Sequence, residues 1–173
     1  MFVQIVLVIV TAVQVNSQSL CPSVCQCNGD SATCTDLFSD LTDMTQHRFS
    51  GALRDLRVTG NTNLELEEDL FLRWNIKSLT ILDLSQNNIT KIGQRALYSL
   101  AYLQNLDLSG NSITTLHSQT LYYNTDLVRL FLSKNSITDI HPSTFQKNTK
   151  LCHLDLSENK LTSIRPETFS HNR

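Results

Sequence analysis

Asparagine returns every 24 residues, at Asn87, Asn111, Asn135 and Asn159, each time in the frame Leu-x-x-Leu-x-Leu-x-x-Asn-x-(Ile/Leu)-x-x-(Ile/Leu). The first of these units reads Leu79, Leu82, Leu84, Asn87, Ile89, Ile92, and the last reads Leu151, Leu154, Leu156, Asn159, Leu161, Ile164. A looser unit precedes them, with Leu53, Leu56, Val58, Asn61, Leu64 and Leu66. Coincidental helical spacing does not hold phase over so many units. A period of this length marks a solenoid: one short strand and one return arc cannot bury their apolar face alone, so successive coils stack and share a core.

The apolar positions of the frame are therefore interior. Ten residues beyond each asparagine stands Phe71, Leu97, Leu121, Phe145 or Phe169, expected to line the convex side of the same interior. The asparagines Asn61, Asn87, Asn111, Asn135 and Asn159 form a structural ladder in this reading. A buried turn leaves backbone donors and acceptors unpaired, and a carboxamide offers both an acceptor and donors.

At the amino end, Met1 to about Ser17 carries the apolar run Phe2, Val3, Ile5 to Val10, Ala12 and Val13, followed by small residues. The stretch reads as a secretory signal peptide over residues 1–17, too short for a spanning helix, which needs about 20 apolar residues. Cys21, Cys25, Cys27 and Cys34 follow at once. Four cysteines so close together in an exported chain point to disulfides rather than to zinc, and they allow three pairings.

The cysteine cluster followed by the 24-residue frame resembles extracellular leucine-rich-repeat proteins, among them Toll-type receptors, Slit and the small leucine-rich proteoglycans. The resemblance covers Cys21 to Met44 for the cap and Leu53 to Arg173 for the repeats. It implies an α/β-type repeat fold: a curved solenoid with a parallel β-sheet on the concave face and mostly irregular or short helical arcs on the convex face. It also implies the pairings Cys21 to Cys27 and Cys25 to Cys34. The expected organisation is a disulfide-bonded cap over 18–52, then five repeats over 53–78, 79–102, 103–126, 127–150 and 151–173. Ser31 to Leu41 is expected to give the covering strand, with Leu37, Leu41 and Met44 as its apolar contacts. Two departures stand out. The first repeat is two residues longer, with Trp74 and Asn75 in its arc, and no cysteine-rich closing cap follows the last. Without a closing cap, Leu151, Leu154, Leu156 and Leu161 would be partly exposed. Either the chain continues past Arg173, where any membrane anchor would then lie, or a partner or second copy stacks on the open coil.

The formal net charge of −2 hides an asymmetry. Gln18 to Leu70 holds three basic and nine acidic residues, a balance of −6; Phe71 to Arg173 holds eleven and seven, a balance of +4. The basic residues are scattered without a groove-reading motif, which argues against nucleic acid as a partner. With five glycines and no phosphate-cradling loop, the sequence offers no cofactor site. GxSxG and HExxH are absent, and Cys152 and His153, neighbours on a strand, face opposite ways and form no nucleophile–base pair. Enzymatic activity is therefore not expected. One N-glycosylation sequon is present, Asn88-Ile89-Thr90, with Asn88 expected to point outward between two inward neighbours.

Residues between the leucines of Leu-x-x-Leu-x-Leu point away from the core, because side chains alternate along a strand. One row so formed is Asp55, Ile81, Asn105, Arg129, His153, and the next is Arg57, Asp83, Asp107, Phe131, Asp155. Coils about 4.8 Å apart turn these rows into a continuous face, suited to a protein or glycan and too shallow for a small substrate. Arg57, Asp83, Asn105, Asp107, Arg129, Phe131, His153 and Asp155 are the candidate contact residues. Phe131 is singled out because a lone aromatic among charges fits an interface anchor.

His117 and His141, each six residues after a ladder asparagine, either share a metal, sense acid, or are simply solvated. Cys152, without a cysteine nearby, either links two chains, pairs with a downstream segment, or is a free thiol. The function these features favour is an extracellular recognition module for a macromolecular ligand. The alternative is a structural matrix component, weakened because the only Ser-Gly pairs, Ser50-Gly51 and Ser109-Gly110, fall within or beside the repeats.

Overall fold

The computed structural model describes Cys21, residues 25–35, Phe49, residues 51–62 and residues 64–172. The leader expected over residues 1–17 and the contacts expected from Leu37, Leu41 and Met44 lie outside these described residues. What is described is a solenoid of five coils with a parallel sheet along one side and very little helix. The fold class therefore matches the expectation from the repeat frame.

Strands β1 (Cys25–Asn28) and β2 (Ser31–Thr35) form an antiparallel hairpin through Gly29, whose φ of 62° is the left-handed conformation a tight turn requires. From β2 onward the sheet is parallel: β3 (Asp55–Thr59), β4 (Ile81–Asp83) and β5 (Asn105–Asp107) follow in order. Strands β6 (Thr115–Leu116) and β8 (Asp139–Ile140) pair with each other on the flank. The main sheet continues through β7 (Arg129–Phe131) and ends at β9 (His153–Asp155). The coil strands are short because only the Leu-x-Leu centre of each frame alternates in and out.

Cys25 lies opposite Cys34 across the hairpin and is bonded to it, while Cys21 is bonded to Cys27. Cys34 is fully buried, so the hairpin lays its inner face on Leu56 and Val58 and covers the first edge of the sheet. The core runs the length of the stack: Leu82, Leu106 and Leu130 align in register at the strand centres, and all are inaccessible to solvent.

The two extra residues of the first coil accommodate a single helical turn, α1 (Leu70–Arg73). Trp74 closes it and packs edge-on against Phe71 at 5.5 Å, with Phe49 at 6.2 Å on its other side. This trio plugs the convex interior near the cap, where the other coils use leucine or a single phenylalanine.

Phe71, Leu97, Leu121 and Phe145 are wholly buried, but Phe169 departs from the expected column with 38% exposure. It stacks on Phe145 at 5.8 Å, yet its other face meets no further coil among the described residues. Leu154, Leu156 and Leu161 are half-exposed there for the same reason, whereas Leu151 is buried by the preceding coil.

Candidate functional site

The ladder asparagines knit each coil to the next. Asn111 Oδ1 accepts the backbone N–H groups of Asn87 and Ile89 at 3.1 and 2.9 Å, and its Nδ2 donates to the Leu84 and Leu108 carbonyls. Asn135 and Asn159 bond in the same sense, each accepting one backbone N–H, of Ile113 and Ile137, and donating to the carbonyls of its own and the preceding coil. Asn87 donates to the Val58 carbonyl and accepts from the Asn61 N–H and, at 2.7 Å, from Asn61 Nδ2. The residue before each ladder asparagine is left-handed: Gly60, Gln86, Gly110, Lys134 and Glu158 all have positive φ. The turn is thus dictated by inter-coil bonding rather than by local preference, since four bonds outweigh about 1–2 kcal/mol of left-handed strain at a non-glycine residue.

These turns hold the concave rows in register. Asp55, Ile81, Asn105, Arg129 and His153 are successive sheet partners, as are Arg57, Asp83, Asp107, Phe131 and Asp155. All eight candidate contact residues therefore share one face.

Their side chains are not equally available. Asp83 Oδ1 accepts both the backbone N–H and the hydroxyl of Ser85, and its Oδ2 pairs with Arg57 Nε at 3.2 Å. Asp107 Oδ1 accepts the Ser109 N–H, and Asp155 Oδ1 accepts the N–H and hydroxyl of Ser157. Each aspartate thus caps the turn that follows its own strand. The Ser157 hydroxyl, then the Ser157 N–H, hold the Asp155 carboxyl below its ordinary value against the opposing effect of burial, with lesser help from the Ser133 hydroxyl and the charge of His153.

Phe131 occupies the aspartate position of its coil and cannot cap. Its ring instead lies 5.1 Å from the His153 ring at 50°. Beside it, Arg129 is exposed and reaches Asn105 Oδ1 at only 3.4 Å, a loose bond. The concave face therefore divides in two. Near the cap, Arg57 and Asp83 satisfy each other; toward the last coils, Arg129, Phe131 and His153 form an aromatic and basic cluster with little internal pairing.

Asn88 is exposed beside buried Asn87, with a φ of 52°; its Nδ2 donates to the Thr62 carbonyl and its Oδ1 accepts the Ser112 hydroxyl, both at 2.8 Å. It stands on the turn ridge, away from the concave rows. His117 and His141 each accept, through Nδ1, the backbone N–H two residues on at 3.1 Å, so both rings cap turns. No cluster of three metal-type ligands occurs among the described residues. Cys152 is an exposed free thiol, 3.7 Å from the Val128 carbonyl.

Two features escaped the reading of the sequence. A second asparagine column, Asn124, Asn148 and Asn172, recurs at the same period and ties the convex arcs together. Asn148 donates to the Leu121 and Asn124 carbonyls, and Asn172 to those of Phe145 and Asn148. The interval was visible, but this column is shorter and starts only at the third coil, where the second has Leu100. The other feature is the gathering of all four tyrosines, Tyr98, Tyr102, Tyr122 and Tyr123, on neighbouring arcs of the convex side.

Comparison with curated proteins gives no match. A family model described as leucine rich repeat matches residues 51–113, 77–137 and 125–173, which together span every coil and most of the chain. With asparagine-laddered coils stacked on a common parallel sheet, the chain belongs to the leucine-rich repeat family.

Proposed function

We propose that this chain is an extracellular recognition module that binds a macromolecular ligand, protein or glycan, through its concave face, as in a receptor, adhesion or signalling ectodomain. Leucine-rich repeats are protein-interaction modules, and the solenoid is typically a non-enzymatic scaffold. The observation that carries the reading is the Arg129–Phe131–His153 cluster, where an aromatic replaces a turn-capping aspartate and leaves binding groups only loosely paired on a sheet held by its ladders. Aromatic and arginine side chains on a preorganised surface are the residues that dominate interface energetics. Asn105, Asp107 and Asp155 border the cluster, and Arg57 and Asp83 extend the face toward the cap as a self-paired margin.

The extracellular part of the proposal draws support from two disulfides near the amino end. Glycosylation at exposed Asn88 and removal of a leader over residues 1–17 belong to the same proposal. A dimer through the last coil or Cys152 is a further arrangement the proposal admits. The matrix reading draws less support, because Ser109 sits half-buried in a ladder turn, a poor acceptor for a long sugar chain.

The test is a screen of the secreted chain against an array of extracellular proteins and glycans, followed by retesting of each hit with Phe131→Ala and Arg129→Ala. The expected result is a loss of about tenfold or more in affinity with each variant, the scale of a hot-spot truncation. Hits that bind both variants as tightly as the unaltered chain would remove the concave cluster from the site.

A further inference from the structure

The convex arcs of the second to fourth coils carry a surface that a ligand on the concave face does not use. Arg95 lies over the ring of Tyr98 at 4.7 Å; Tyr98 meets Tyr123 edge-on at 6.2 Å; Tyr123 meets Tyr122 at 5.1 Å; and Lys147 lies 5.3 Å above Tyr122. Five side chains from three coils thus form one unbroken string. Tyr122 and Tyr123 are 40% and 50% exposed, and Tyr102 on the neighbouring arc is 58% exposed. None of the four phenol hydroxyls makes a hydrogen bond among the described residues, so each remains free to donate outward.

Charge gives the surface a sign. The arcs 93–102, 117–126 and 141–150 contain three basic residues, Arg95, Lys147 and Lys150, and one acidic residue, Asp126. That aspartate is held by Lys150 at 2.6 Å, and Arg95 touches an acid only at 4.0 Å, through Asp69. Solvated faces of repeat arcs are ordinarily polar. Gathering every tyrosine of the chain there, threaded with cations, leaves a sizeable aromatic area open to water.

We propose that this tyrosine string is a second docking surface, for an acidic segment of a protein partner. Carboxylates would accept from the phenols and pair with Arg95 and Lys147, while apolar side chains between them would cover the ring edges. An anionic glycan fits less well. The tyrosine pairs meet at 71° and 75° rather than lying as a flat platform, and the faces of Tyr98 and Tyr122 that a sugar would stack on are covered by cations.

The experiment is selection of short displayed random peptides on the whole secreted chain, with the enriched peptides then measured on variants and in competition with heparin. The expected outcome is enrichment of Asp and Glu interleaved with apolar residues. Binding should weaken with added salt and fall by about tenfold with Tyr122→Ala and Tyr123→Ala together and with Lys147→Glu, while Phe131→Ala leaves it unchanged. Lys147→Glu alters an exposed side chain and keeps the test sound if the tyrosine variant folds poorly. Enriched peptides without acidic bias, or sensitivity to Phe131→Ala in place of the tyrosines, would overturn the proposal. So would heparin binding that depends on the tyrosines while acidic peptides do not bind. Sensitivity to Phe131→Ala would instead assign the peptides to the concave face, and the other outcomes leave that face untouched.

Discussion

Asn111 shows how one side chain can set the cooperativity of the stack. It satisfies two backbone N–H groups and two carbonyls in a buried turn, and alanine would leave both N–H groups and the Leu84 carbonyl without partners, while the Leu108 carbonyl keeps Asn135. Asn111→Ala is expected to destabilise the chain by about 3–5 kcal/mol in denaturant unfolding, from unsatisfied groups at roughly 1–3 kcal/mol each with partial access of water. Asn159→Ala should cost clearly less, because its coil is half-exposed and water can replace the lost bonds. Equal losses at the two positions would mean that the ladder is not what the asparagines are for. Asp155 offers a subtler check. Its folded-state pKa is lowered, so its contribution to stability is present above the unfolded carboxylate range near pH 4 and fades as pH falls through the lowered value. Ser157→Ala should raise the Asp155 titration midpoint toward the ordinary value in an NMR titration, since the Ser157 hydroxyl is the largest cause of the depression. At this scale the sequence was legible wherever one residue type recurred in phase. The left-handed residue before each rung was not, because Gly60, Gln86, Gly110, Lys134 and Glu158 share a conformation without sharing a chemistry.

Between coils, the informative contrast is the strand that breaks the Asp-x-Ser pattern. In β4, β5 and β9 an aspartate caps the serine two residues on, and in β7 Phe131 gives up that cap for a half-buried ring against His153. Phe131→Asn should restore the cap at about 1 kcal/mol while losing the half-buried contact with His153 at a similar cost, leaving stability within about 1 kcal/mol of the original. Thermal unfolding and ligand affinity would then separate: the first nearly unchanged, the second reduced. A variant that unfolds several degrees earlier would show that Phe131 serves the fold. The alternation of side chains predicted which residues share the concave face, since the register of a parallel stack leaves no freedom once the period is known. It did not reveal which aspartates were committed to their own turns, because that depends on the hydroxyl two residues away. Nor did it anticipate the antiparallel pairing of β1 with β2, a consequence of the turn at Gly29 rather than of the repeat. Phe169 was misplaced for a related reason: the frame says which side chains face inward, but burial also requires a neighbour on both sides.

For the described stack as a whole, the first and last coils are the places where one side of the core meets no further coil among the described residues. The hairpin with its two disulfides closes one end, leaving Cys152 as the one free thiol among the described cysteines. Alkylation of the folded chain without reductant should therefore add a single adduct by mass. No adduct would place Cys152 in a disulfide with another chain, and two or more would mean that the cap is open. The charge asymmetry, −6 over Gln18 to Leu70 and +4 from Phe71 onward, sets an acidic amino-terminal part against basic later coils. Hydroxyl-radical footprinting of the chain, free and bound to a partner from the extracellular screen, reads the occupied face residue by residue. Protection of Phe131 and His153, with Asn111 and its neighbours unchanged, is the result expected of a laddered platform that binds through its inner curve. Oxidation of Phe131 and His153 that stays the same on binding, with protection confined to the arcs, would contradict it.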